Sequence, residues 1–281
     1  MHRIFVTMMD TTFFSAPFRG VITEKNNGSY SVTNETGSRS CVLSARLRRQ
    51  TESEPVVGDE VAIDASGQIT ALLPRRNWIS RRAAAPHAGA YAGEQLIAAN
   101  LDQIVPVFAT ASPRPAWNLL DRYLVSAEVA EIPALVCITK LDLVSGNAEA
   151  DEIEMVAAEY RAIGYPVLLT STASGEGLEE FRRALFGRRS LLVGKSGVGK
   201  TSLLNALEPR LGQRVQETNR VTGKGRHTTT AAQLFPLAQG GAIIDTPGIR
   251  EFGLWDVDGA DLAYFFPEMR PYLGKCRFGM D

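Results

Sequence analysis

The sequence predicts an α/β domain with a mainly parallel sheet, organised around a glycine-rich loop and preceded by a small all-β barrel. Between Phe18 and Ser80, five short apolar runs are separated by Gly and Asn turns, the pattern of a small closed barrel of OB type or SH3-like. From Gln103 the pattern changes to apolar runs alternating with amphipathic stretches, as strands alternate with covering helices. Within that second part, Gly194-Lys195-Ser196-Gly197-Val198-Gly199-Lys200-Thr201 lies between the apolar run 190–193 and a helix-like stretch beginning at Ser202.

Bulk properties bound the answer. At 281 residues, 44% hydrophobic and 22% charged, the chain suits two domains of an ordinary globular protein. No apolar run approaches the ~20 residues of a membrane span, and the first ten residues hold no signal-peptide core. Cys41, Cys137 and Cys276 are too widely spaced for a disulfide framework, so a reducing cytoplasm is the expected compartment, with no membrane partner and a monomeric chain. Net charge is −1, yet residues 1–84 carry 11 basic against 8 acidic side chains, whereas residues 85–253 carry 16 against 18. The N-terminal third is therefore the expected polyanion face.

Taken in order, residues 1–17 read as an N-terminal extension and 18–84 as the barrel. Its strands are expected at 19–24, 30–33, 40–43, 58–63 and 69–73, with turns at Asn26-Asn27-Gly28 and at 34–37. Arg46, Arg48, Arg49, Arg75, Arg76, Arg81 and Arg82 fall at its loops and exit, where they suit an RNA-binding face and a merely solvated one equally well. Residues 85–100 read as a linker, from the Ala, Gly and Pro content of 83–93. Residues 101–253 form the α/β domain. Strands are expected at 104–108, 134–138 and 166–169, and helices at 117–129, 151–163 and 178–185; after the glycine loop and its helix comes a β-pair at 231–237 and 242–244. Residues 254–281 form a C-terminal segment.

A strand, glycine loop and helix in this order make a phosphate-binding P-loop. The glycines let successive N–H groups converge, and the helix adds the positive end of its dipole. Lys200 is then placed for the β- and γ-phosphates, and Thr201, followed by Ser202, for magnesium. Downstream, Asp245-Thr246-Pro247-Gly248 ends a buried strand: Asp245 suits magnesium and the Gly248 amide suits the γ-phosphate. Upstream, Thr139-Lys140-Leu141-Asp142 also ends a strand. Asp142 there can accept from the N1–H and exocyclic amine of guanine, while adenine would leave it unpaired. Ser171, Thr172 and Ala173 fit a further base-contact loop. The base motif precedes the P-loop, the reverse of the order in small GTPases, so the domain is expected to be circularly permuted. An ATP-using P-loop enzyme such as a kinase remains the alternative in which residues 139–142 are coincidental.

With the barrel, Thr-Lys-Leu-Asp, the P-loop, Gly225-Arg226-His227-Thr228-Thr229-Thr230 and Asp-Thr-Pro-Gly-Ile-Arg, the chain resembles the ribosome-small-subunit-dependent GTPase A family over roughly residues 18–278. The resemblance implies an OB-fold, a permuted GTPase domain and a C-terminal zinc-binding domain. It further implies GTP hydrolysis to GDP, stimulated by the small ribosomal subunit and its rRNA, late in the maturation of that subunit. The position that holds a water-orienting glutamine in Ras-like enzymes is Ile249, so the catalytic candidates are His227 for water, Lys200 for phosphate and Thr229 for magnesium, with Thr228 and Thr230 open as alternatives. Ile249 also suits a nucleotide-gated rRNA-binding factor with negligible catalysis. The zinc expectation meets a gap: beyond Glu268 only Cys276 matches the family's three cysteines and histidine, so residues 254–281 read as a remnant with an incomplete ligand set.

Overall fold

The computed structural model describes residues 18–26, 28–51, 54–82, 93–144, 146, 148–209, 211–212, 232–246, 257–259 and 261–275. Strands β1 (Phe18–Asn26), β2 (Ser29–Asn34), β3 (Gly37–Leu43), β4 (Glu60–Ile63) and β5 (Gln68–Leu72) pair in the order β1-β2-β3-β5-β4, and β4 returns antiparallel to β1. Only the β3–β5 pair is parallel. This closed five-strand Greek key is the order of an OB-fold, which decides between the two barrels the sequence left open. Alternation along the strands turns Ile22, Tyr30, Val32, Cys41, Val61, Ile63 and Ile69 into one buried cluster.

A short helix the sequence did not suggest, α1 (Ala45–Gln50), follows β3. Six residues are too few for a periodic signal, but Ser44 caps it by accepting the Leu47 N–H at 3.2 Å. Arg46, Arg48 and Arg49 therefore stand exposed on a helix rather than in a loop.

Strand β1 is irregular in a way that matters. Its register with β2 slips between Ile22 and Glu24, the mark of a β-bulge. Ahead of the bulge, residues 18–21 close the barrel against β4; beyond it, Glu24 pairs with Gln233 of β12 (Gln233–Pro236). The barrel and the α/β sheet are thus joined through one strand.

Strands β6 (Trp78–Arg82) and β7 (Glu94–Ala99) pair antiparallel. Residues 78–82, read with the barrel, and 94–99, read as linker, instead form this hairpin, because Ile79, Ile97 and Ala98 bury against the α/β core. Gly58, at φ +92°, is pressed so close to it that a Cβ would lie 2.0 Å from the Ala99 carbonyl oxygen. Polar ties surround this contact. Arg75 forks onto buried Asp59 at 2.7 and 2.8 Å, Arg76 bonds Asp102 at 2.9 Å, and the Asn100 amide donates to Gly58 O at 2.9 Å. Of the arginines nominated for RNA, Arg75 is therefore committed to a largely buried ion pair, whereas Arg76 pairs with Asp102 at the surface and stays exposed.

The α/β region comprises β8 (Gln103–Ala109), α2 (Trp117–Val129), β9 (Val136–Thr139), α3 (Ala148–Ile163), β10 (Val167–Leu169), α4 (Leu178–Leu185), β11 (Arg189–Val193), α5 (Lys200–Leu207) and β13 (Ala242–Asp245). Order β10-β9-β8-β11-β13 is parallel throughout, with β12 antiparallel beyond β13. Two buried clusters cover its faces. One joins Ile104, Ile138 and Leu191 to Leu120, Tyr123 and Ile153 of α2 and α3; the other joins Val105, Leu192 and Ile243 to Phe181, Leu203 and Leu204 of α4 and α5. Past β13, a 3-10 turn at Leu262–Phe265 lies against α2, where Arg270 bonds Glu128 at 2.6 Å. Among the described residues no helix is long and apolar enough to cross a membrane.

Candidate functional site

From β8 the chain adds β9 and β10 to one side, then returns to lay β11 on the other. The order of the sheet reverses between β8 and β11, and at such a point the carboxyl ends of the strands open a crevice suited to a ligand. The loops after β8, β9, β10, β11 and β13 all leave from that edge.

The loop after β11 is shaped by its glycines. Gly194 sits at φ +151°, and a Cβ there would stand 2.3 Å from Val107 O, so only glycine lets the loop hug β8. Gly199 precedes α5 at φ +98° in left-handed backbone. Lys195, Ser196 and Gly197 are exposed, whereas Val198 is buried in the α5-side core and anchors the loop. Lys200 Nζ donates to the carbonyls of Gly194 at 2.6 Å and Lys195 at 3.0 Å. Burial pushes its pKa down, and the Asp245 carboxylate opposes that shift, so the two charges feel one another across the loop. Thr201 is half-buried and Ser202 exposed in the first turn of α5. Asp245, the last residue of β13 and the partner of Leu192 on β11, is buried.

The base motif is wired to the same loop. The buried Thr139 hydroxyl lies 2.5 Å from Val198 O and 3.2 Å from Phe108 O. Lys140 adopts left-handed backbone at φ 61°. Its carbonyl accepts from Thr110 Oγ1 at 2.7 Å, and its Nζ donates to the Ser112 carbonyl. Leu141 begins a single 3-10 turn, with its N–H on Thr170 O at 3.2 Å, and Asp142 stands exposed on it. Ser171 is fully buried; its hydroxyl donates to Asp142 Oδ1 at 2.5 Å and accepts the N–H groups of Ala173 and Ser174 at 3.2 Å. Thr172 and Ala173 are exposed in the turn that follows.

Thr110 and Ser112, which fix Lys140, were missed by the sequence reading. They carry no motif, and the available signal was positional: they follow β8, beside the P-loop strand at the crevice. His227, Thr228, Thr229, Thr230, Gly248, Ile249 and Cys276 lie outside the described residues. Among the described residues, no group of three or more His, Cys, Asp and Glu side chains is arranged to hold a metal.

Comparison with known proteins agrees with this arrangement. Residues 72–255 match the family model described as RsgA GTPase. The chain is 42% identical over 268 residues to the small ribosomal subunit biogenesis GTPase RsgA of Gemmatimonas aurantiaca, covering 92% of this chain and 85% of that relative. It is 46% identical over 227 residues to the protein of the same name from Pseudomonas aeruginosa, covering 79% and 65%. Among solved structures, YjeQ from Thermotoga maritima superposes with a TM-score of 0.71 at 29% identity, covering 94% of this chain and 85% of that one. YloQ, described as a circularly permuted GTPase, gives 0.67 at 27% identity, covering 94% and 82%.

Proposed function

This chain belongs to the RsgA GTPase family, and from that premise we propose that it binds GTP at the β8–β11 crevice, hydrolyses it to GDP and phosphate, and acts in small ribosomal subunit biogenesis. The observation that carries the base assignment is Ser171 holding the Asp142 carboxylate while Thr139 joins the same motif to the P-loop carbonyl of Val198. A fixed acceptor suits the two donors of guanine and leaves adenine with an unpaired partner.

In this proposal the loop amides of residues 194–199 and the Lys200 ammonium hold the phosphates. Lys200, half-buried over the loop, would turn its ammonium from the Gly194 and Lys195 carbonyls toward phosphate oxygens. Thr201 and Asp245 fit magnesium: a hydroxyl at the start of α5 and a buried carboxylate share one face of the sheet, and the buried Gln233 carbonyl there has no partner among the described residues. When bound, the ion neutralises charge developing on the β- and γ-phosphates. Thr229 is proposed as a further ligand and His227 as the group that orients water, since Ile249 has no hydrogen-bonding side chain. Exposed Arg46, Arg48 and Arg49 on α1 are the proposed rRNA contacts, rather than Arg75, which is held in a largely buried pair with Asp59. Stimulation by the subunit, a late place in its maturation, a monomeric state and a cytoplasmic location complete the proposal.

The test is GTP hydrolysis with and without purified small ribosomal subunits, for the full chain and its His227→Ala variant. Stimulation lost in the variant is expected. Binding of GTP with no stimulation of the wild type would instead favour the nucleotide-gated RNA-binding factor that Ile249 also suits, and equal competition by ATP would overturn the base assignment.

A further inference from the structure

One row of side chains crosses from the barrel to the phosphate side of the α/β sheet. Glu24 of β1, Gln233 of β12 and Asp245 of β13 are successive cross-strand partners. Directly opposed residues point to the same face, with Cβ atoms about 4.5–5.5 Å apart. Phe235 and Ile243, two positions along each strand, pack with Val198, Leu203 and Leu204, so this is the face that carries α5 and the loop. Gln233 therefore stands beside Asp245 on the phosphate side.

An apolar side chain would suit that setting, and Phe235 is one. Gln233 instead puts a buried carbonyl oxygen there, Oε1, with no hydrogen-bond partner among the described residues. Leaving a buried acceptor unpaired is costly, and such groups are rare unless a further partner completes them. The nearby cation does not serve: Lys200 directs its ammonium to the Gly194 and Lys195 carbonyls. Magnesium, in contrast, dehydrates reluctantly and keeps several waters, each a strong donor one layer beyond the ion.

We infer that Gln233 is a positioning residue of the magnesium site, its side-chain carbonyl accepting a hydrogen bond from a water in the shell of the ion held by Asp245. This rests on the proposed function. Outer-shell groups orient what the ion holds, and their removal commonly weakens metal affinity by 10- to 100-fold. Glu24 ends the same row, so the barrel strand β1 abuts the residue that borders this shell.

The experiment titrates magnesium against a fluorescent GDP analogue bound to the full chain, wild type against Gln233→Met and Gln233→Glu, with thermal melts as a check on folding. Met keeps the length and loses the acceptor; Glu keeps an acceptor at the same reach. The magnesium midpoint should rise about tenfold in Gln233→Met and not rise in Gln233→Glu, which keeps an acceptor and adds a charge that attracts the ion. An unchanged midpoint in Gln233→Met overturns the inference, and so does an equal rise in both variants, which would make the residue a packing element. A parallel titration with an ADP analogue reports on the proposed function: equal affinity for the two bases refutes that reading, while the magnesium midpoint still decides the role of Gln233.

Discussion

Removing the Ser171 hydroxyl tests base recognition through the group that holds its acceptor. Ser171 is fully buried and donates to Asp142 Oδ1 at 2.5 Å, the oxygen of a carboxylate that is itself exposed. A hydrogen bond to a charged group is worth about 1.5–3 kcal/mol. Water can reach exposed Asp142 and replace part of what is lost, which places Ser171→Ala near the lower bound, about 1.5 kcal/mol or roughly a tenfold loss in affinity. The turn also loosens, since the same oxygen accepts the Ala173 and Ser174 N–H groups. Equilibrium titration with a fluorescent GDP analogue at saturating magnesium measures the effect. The preference for guanine over adenine should fall with the affinity. Wild-type GDP affinity in Ser171→Ala would refute the claim that this hydroxyl fixes the acceptor.

Four other perturbations address the loop, the barrel exit and the strand that leads to the P-loop. In Gly194→Ala the added methyl would meet Val107 O at 2.3 Å and must push the loop off β8, so GDP binding measured by calorimetry should weaken sharply, and near-native binding would contradict the loop geometry. Asp59→Ala leaves the largely buried Arg75 guanidinium without its carboxylate, a loss of about 3–5 kcal/mol; at about 2 °C per kcal/mol for a chain this size the Tm should drop by about 6–10 °C. Arg75→Ala should likewise lower Tm while leaving rRNA affinity unchanged, and reduced affinity in a filter-binding assay would restore Arg75 to the RNA face. For Asp102, burial acts to raise the pKa, but the Arg189 N–H and the Arg76 guanidinium outweigh it and the net shift is downward. A depressed folded value means stability that is full above the unfolded aspartate pKa of about 3.9 and is lost as pH falls through the folded value. Asp102→Asn should therefore be less stable to urea at pH 7 and lose less on acidification, and an identical acid dependence would count against the assignment.

Much of the α/β region was legible because its signals are local. A glycine loop between a buried strand and a helix, and carboxylates at strand ends, are readable from spacing alone. The barrel was legible as five strands but not as one topology, since only the parallel β3–β5 pairing distinguishes the OB order and pairing leaves no mark in a single strand. The hairpin was lost for a different reason: the Ala- and Gly-rich stretch ending at Gly93 biased the reading of Glu94–Ala99, whose strand character comes from Trp78–Arg82 and from burial of Ile97. The seven arginines show the limit of counting charge, because Arg75 folds into a largely buried pair with Asp59 while Arg46, Arg48 and Arg49 stand exposed on α1, and the sequence marks the two kinds alike. Ser171 was found as one of three candidates, and the fold alone singled it out, through its burial against Asp142. Thr110 and Ser112 could be found only once β8 was known to flank β11.

Strand β1 sets how this protein can be dissected. Severed near residue 84, the C-terminal portion would keep β12 but lose the strand beside it, leaving the Glu24-facing side of Gln233–Pro236 as a raw sheet margin. Unprotected margins template pairing with foreign chains, and Pro236 blunts only one position of this one. A fragment of residues 101–253 that precipitates or dimerises would be reporting an orphaned edge rather than a missing RNA contact, and a charge placed elsewhere on the bared margin of β12 would make it soluble.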